Sequence, residues 1–184
     1  MELNKNKRIF KSFWSLKFIK IPVILIVLLV SNSCTVSYKF NGAYIDYTKI
    51  KTISIADFVN TAELVYAPLS QEFTEKLRDV YTKSTRLQML KKGGDLHIEG
   101  EIVDYQLTPM AISVDTYASQ TKLTITINVR FSNSKNPEDD FEKKYSAYQT
   151  FDSNNLLTDV QDGLLKTMID EITDNIYNDT VAKW

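Results

Sequence analysis

Cysteine occurs once in these 184 residues, histidine once, proline four times and glycine five times. The lone Cys34 cannot close an intramolecular disulfide, so no disulfide frame holds the fold. With glycine this scarce there is no Gly-rich phosphate loop, and no serine elbow, HExxH or CxxC occurs. Enzymes built on those motifs are excluded, and no catalytic residue and no cofactor are expected. Sparse Gly and Pro also leave few chain breaks, so the elements should be long. No apolar run reaches the roughly 20 residues that a membrane-crossing helix needs.

What is present begins with an asymmetric N-terminus. Lys5, Lys7, Arg8, Lys11, Lys17 and Lys20 stand against a single acid, Glu2, and the uncharged stretch Ile21 to Val30 follows. A basic segment before a short apolar one has the form of an export leader. Ser31 and Ser33 supply the small residues of a cleavage site, and Cys34 comes directly after. Lipoprotein leaders usually carry Leu three residues before the cysteine, where this chain has Ser31. The expectation is a lipoprotein signal peptide over 1–33, acylation of Cys34, a tether over 34–38 and one domain over 34–184. Each buried methylene contributes about 0.8 kcal/mol, so two or more acyl chains on Cys34 would hold the protein to a bilayer stably. An ordinary secretory leader with a bystander cysteine is the alternative.

Without residues 1–33, Lys+Arg falls from 22 to 16 and Asp+Glu from 23 to 22, so the formal net charge moves from −1 to −6. An acidic domain lacks the basic footprint that nucleic acid demands. About 150 residues suffice for one ordinary core.

The periodicities predict two helices and a sheet. KTISIADF reads as a first strand; APLSQEFTEKLRDVY is amphipathic, with Leu69, Phe73, Leu77, Val80 and Tyr81 on one face. LQML is a candidate short strand before the turn KKGGD. In DLHIEGEIVDYQLTP the apolar parity switches after Ile102, which predicts a bulge near Val103, with Gly100 assisting. KLTITINVRF alternates strictly, Leu123, Ile125, Ile127, Val129 and Phe131 opposing Lys122, Thr124, Thr126, Asn128 and Arg130. FEKKYSAYQTF adds a strand, and a long helix runs from Thr158 to about Ala182, with Thr158 and Gln161 at capping-box spacing. The fold class is therefore α+β, a two-layer sandwich of two helices on a mostly antiparallel or mixed sheet.

Candidate sites are few. His97, Glu99 and Glu101 share one strand face, but alternate positions spread them over about 13 Å, so a solvated face is expected and no metal. Lys122 and Arg130, joined by Lys143 or Lys144 from the neighbouring strand, form a candidate basic patch for phosphate groups. The connection from Thr108 to Gln120 is long and apolar, making Met110, Ile112, Val114 and Tyr117 a candidate partner interface; a hairpin folded back on its own sheet is equally compatible.

Taken together, the leader ending at Cys34, APLSQEFTEKLRDVY, GDLHIEGEIVDYQLTPMAI, KLTITINVRFSN and FDSNNLL resemble the LptE family of lipopolysaccharide-assembly lipoproteins. The resemblance covers Cys34 to Trp184. It implies a two-helix, four-stranded sandwich at the periplasmic face of the outer membrane, plugging the LptD β-barrel and helping to pass lipopolysaccharide to the cell surface. Binding of lipopolysaccharide by family members implies a ligand for the basic residues Lys122, Arg130, Lys143 and Lys144, whose placement rests on strand geometry alone. A periplasmic lipoprotein that binds a small ligand or scaffolds the envelope, without touching lipopolysaccharide, is the alternative.

Overall fold

The computed structural model describes residues 45–110 and 119–181. Chain order is β1 (Thr52–Ile55), β2 (Val59–Asn60), α1 (Pro68–Ser84), β3 (Gln88–Leu90), β4 (Leu96–Pro109), β5 (Gln120–Asn133), a 3-10 turn (Pro137–Asp139), β6 (Phe141–Asp152) and α2 (Leu157–Thr180). The strands form one sheet in the order β3-β1-β4-β5-β6, with β2 beside β4. The architecture is the expected α+β sandwich, but the sheet has six strands rather than four. Beyond four strands it holds the three-residue β3, which is the candidate strand LQML, and the two-residue β2, too short to carry a periodic signal.

Pairing is mixed. β4 with β5 and β5 with β6 are antiparallel, whereas β1 is parallel to both β3 and β4. A parallel pair needs a crossover, and α1 supplies it between β1 and β3. Pro68 opens α1 at a position where its missing N–H costs nothing. Leu69, Phe73, Leu77 and Tyr81 then bury one face, while Val80 is only half-buried. Thr74 is buried among them because its hydroxyl is fully used, donating to Ser70 O at 2.7 Å and accepting from Phe58 N–H at 3.1 Å.

The bulge falls where the parity switch places it. Register between β4 and β5 shifts between Ile102 and Asp104, so Val103 and Asp104 together oppose Thr126. Ile102 and Tyr105 can therefore both face the core. Gly100 has a reason of its own: a Cβ there would lie 2.1 Å from Asn128 O and 2.7 Å from Phe58 Cε1. Only glycine lets β5 and the Phe58 ring approach this closely.

α2 packs Leu165, Met168, Ile169, Ile172 and Ile176 against the sheet, while Leu164 is half-buried. Its start corrects the sequence reading. The cap position is Leu156 and no side chain caps the helix; Thr158 lies inside the first turn, its hydroxyl directed to Asp159 Oδ1 at 3.3 Å. Leu157 is drawn onto the core edge, so the helix begins before Thr158 reaches a capping position. α1 and α2 meet through the Tyr81 and Tyr177 rings, edge to face at 5.5 Å, and through a hydrogen bond between Tyr81 and Thr180.

Candidate functional site

Both helices lie on one face of the sheet, and the alternation of β5 decides the character of the other. Leu123, Ile125, Ile127, Val129 and Phe131 are buried under the helices. Their neighbours form an open polar face across β4, β5 and β6. Register fixes its rows: Thr108, Lys122 and Thr150; Gln106, Thr124 and Tyr148; Asp104, Thr126 and Ser146; Glu101, Asn128 and Lys144; Glu99, Arg130 and Glu142.

The candidate basic residues separate on this lattice. Lys122 and Arg130 do share the open face, but eight residues of strand put them about 27 Å apart. Lys144 joins that face between them. Lys143 does not: it pairs with Val129, on the helix side, and its Nζ lies 2.6 Å from Asp179 Oδ2 on α2 and 4.9 Å from the centre of the Tyr145 ring. Strict alternation forces this split, since adjacent strand residues point to opposite faces. Tyr145 donates to the same Asp179 carboxylate at 2.7 Å, and burial, then that carboxylate, pushes its hydroxyl above the usual tyrosine range.

Charge on the open face is balanced rather than basic. Arg130 Nε is 3.1 Å from Glu99 Oε1, and Glu142 is its cross-strand neighbour. His97 Nε2 contacts Glu99 Oε2 at 3.4 Å while its Nδ1 shares a hydrogen with the buried Ser54 hydroxyl at 2.8 Å. A shallow depression of about 360 Å³ opens here, lined by His97, Glu99, Arg130, Asp140 and Glu142. Three carboxylates against one guanidinium make it a poor seat for phosphate. Lys122 differs: its neighbours across the strands are Thr108 and Thr150, and its ammonium sits 5.6 Å from the centre of the exposed Tyr148 ring.

Of the candidate partner interface, Met110 is 43% exposed at the end of β4; Ile112, Val114 and Tyr117 lie outside the described residues, as does Cys34. The structure adds exposed apolar residues that periodicity missed. Leu64, Val65 and Leu156 are each more than half exposed. Leu156 begins α2, and Tyr66, next to Val65, bonds Asp162 near the start of that helix and stacks on Tyr105. Tyr66 thereby ties the segment carrying Leu64 and Val65 to the start of α2 and to β4. The readable signal was AELVYAP, an apolar segment outside any periodic element.

The sequence from residue 50 to residue 180 matches the model of the lipopolysaccharide-assembly family, LptE. The chain belongs to this family. No curated protein matches it in sequence. Among solved structures, this LptE chain is similar to a hypothetical protein from Chlamydia trachomatis, at 11% identity and a TM-score of 0.50, covering 71% of this chain and 98% of that one. A protein from Xanthomonas campestris is 10% identical with a TM-score of 0.51, over 72% and 85% of the two chains. Lipoprotein B from Nitrosomonas europaea is 16% identical with a TM-score of 0.46, over 69% and 79%. The first two likenesses show the shared fold. Among the described residues no helix is long and apolar enough to cross a membrane.

Proposed function

We propose that this LptE protein is a non-enzymatic, lipid-anchored subunit of the outer-membrane lipopolysaccharide translocon. Residues 1–33 are removed as a leader, Cys34 is acylated, and the domain over 34–184 is held at the periplasmic face of the outer membrane. There it assists assembly of an LptD-like β-barrel and occupies its interior. The observation that carries this reading is the family match over 50–180, which spans every strand and both helices.

Physical features support the assignment. A sheet with one face buried under helices and the other open and polar suits a plug in a barrel lumen, because lumen-facing side chains of outer-membrane barrels are polar. The exposed apolar residues Leu64, Val65, Met110 and Leu156 offer contacts for acyl chains or a barrel wall. Ile112, Val114 and Tyr117 would extend that contact. For anionic lipid groups the open face offers Lys122 and Lys144, while Arg130 is partly neutralised by Glu99 and Lys143 is tied to Asp179.

Affinity capture of the tagged protein from detergent-solubilised outer membranes tests the proposal. A large β-barrel should be recovered in near-equal amount, and depletion should leave lipopolysaccharide in the periplasm. Recovery of the protein alone, with normal surface lipopolysaccharide after depletion, would refute it.

A further inference from the structure

The open face divides by how its polar groups are used. Toward the 3-10 turn they bind each other: Arg130 holds Glu99, Asn128 donates to Glu142 at 2.7 Å, and the Thr126 hydroxyl donates to Ser146 at 3.1 Å. Toward the other end they do not. Gln106, Thr108, Thr124, Tyr148 and Thr150 occupy adjoining rows of the β4–β5–β6 register. Among the described residues, none of their side chains makes a hydrogen bond.

In this unspent half lies one large apolar surface, the Tyr148 ring. Tyr148 is 61% exposed and is the one aromatic among the described large apolar residues that stand in solvent. The Lys122 ammonium is 5.6 Å from its ring centre and forms no ion pair among the described residues. A ring has two faces, and a cation over one leaves the other free. Whatever covers that face must be apolar against the ring and rich in hydroxyls around it. A pyranose is built this way, with C–H bonds on its face and hydroxyls at its rim. The Gln106 amide and each Thr hydroxyl both donate and accept, so they match sugar hydroxyls of either polarity. Acyl chains fit poorly, because they would strip water from these polar groups and pair with none of them. Free phosphate fits poorly too, since one ammonium is not a convergent set of donors.

We propose that Tyr148 and Lys122 form a saccharide subsite, on which a sugar ring of lipopolysaccharide stacks against Tyr148 and an anionic substituent of that saccharide meets the Lys122 ammonium. Gln106, Thr124 and Thr150 take the hydroxyls. The inference rests on the translocon reading and adds which part of the lipid is held: its saccharide, not its acyl chains. Strands lie about 5 Å apart and alternate residues about 7 Å apart, so the patch is about 10 Å across, room for a short oligosaccharide. The site is a sheet face without walls, and binding to it is weak. Weak binding suits a cargo that must move on, because a site on a transport path has to release what it holds.

The test titrates the nitrogen-15-labelled full chain, processed in the envelope and held in detergent, with the lipid-free oligosaccharide that mild acid releases from lipopolysaccharide. Saturable amide shifts are expected at Lys122, Thr124 and Tyr148, with a dissociation constant of about 1 mM. Tyr148→Ala should raise that constant about tenfold, and Tyr148→Trp should keep it, because a ring is still there to stack on. Lys122→Gln should raise it about threefold and flatten its dependence on salt. Unchanged shifts of core amides show that each variant is folded. No saturable shift in the wild type, a Tyr148→Ala titration equal to wild type, or a Tyr148→Trp titration as weak as Tyr148→Ala would overturn the subsite. Barrel capture, run alongside, separates the two readings. Barrel recovered without oligosaccharide binding overturns the subsite alone; binding through Tyr148 without a barrel supports the subsite and refutes the translocon reading. Loss of the barrel from Tyr148→Ala with an unchanged titration makes the ring a protein contact and overturns the subsite.

Discussion

Asp95 and Thr52 hold each other in both directions. The Asp95 carboxylate accepts from the Thr52 hydroxyl at 2.9 Å and from the Thr52 and Lys51 amides at 3.1 and 2.9 Å, while Asp95 N–H donates back to the Thr52 hydroxyl at 2.9 Å. The start of β1 is thereby pinned to the start of β4, and so is the parallel register between them. The Lys51 amide, the Lys135 ammonium 3.0 Å away and the Thr52 hydroxyl together hold this carboxyl well below the usual range.

A lowered folded-state pKa gives a defined pH dependence. The clamp contributes fully above the ordinary carboxylate value of 3.8 and is lost as pH falls below it, because protonation then costs more in the folded protein than in the unfolded chain. Melting temperature should therefore drop more steeply below about pH 4 in the wild type than in Asp95→Asn. Parallel acid profiles for the two proteins would show that Asp95 plays no such part.

Gly100 tests the closeness of β4 and β5. Gly100→Ala puts a methyl against Asn128 O and Phe58 and should destabilise by about 1–3 kcal/mol. Denaturant titration measures it. Gly163→Ala is the control: nothing lies within 4 Å of a Cβ there, so this change in a helix should stabilise by a few tenths to about 1 kcal/mol.

Deletions distinguish the bulge from the regular ladder. Removing Val103 converts the bulge into an unbroken strand without changing which residues of β4 face the core, so ΔVal103 should retain native circular dichroism. Removing Thr126, the residue opposite the bulge, reverses the faces of one half of β5 and should abolish cooperative unfolding.

On the open face, charge reversal should sort the lysines and arginine by their surroundings. Lys122→Glu is expected to weaken binding of labelled lipopolysaccharide about tenfold, with a reduced salt dependence. Arg130→Glu should change it less than about threefold, since Glu99 already offsets that guanidinium. Equal losses from the two variants would mean that the acidic neighbours do not screen Arg130.

For the anchor, metabolic labelling with a radioactive fatty acid should mark the wild type and leave Cys34→Ala unlabelled. The variant should also leave the membrane fraction on washing, since one or more acyl chains would be missing.

Periodicity decided much of this protein. Strict alternation from Leu123 to Phe131 marks a strand with one buried face whatever its partners, and the parity switch at Ile102 marks an extra residue, because each follows from the two-residue repeat of a strand alone. The helical spacing of Leu69, Phe73 and Leu77, and of Leu165, Met168 and Ile172, is legible for the same reason. Tertiary structure decided the rest. β2 exists only because β4 offers it an edge; Thr158 fails to cap because Leu157 is drawn to the core. Alternation leaves one of Lys143 and Lys144 on the open face, as expected, but the basic patch dissolved because strand length separates Lys122 from Arg130 and carboxylates from other strands surround Arg130. Local pattern fixes which way a side chain points; which charges it meets depends on strand register, and register is set by contacts between residues far apart in the chain.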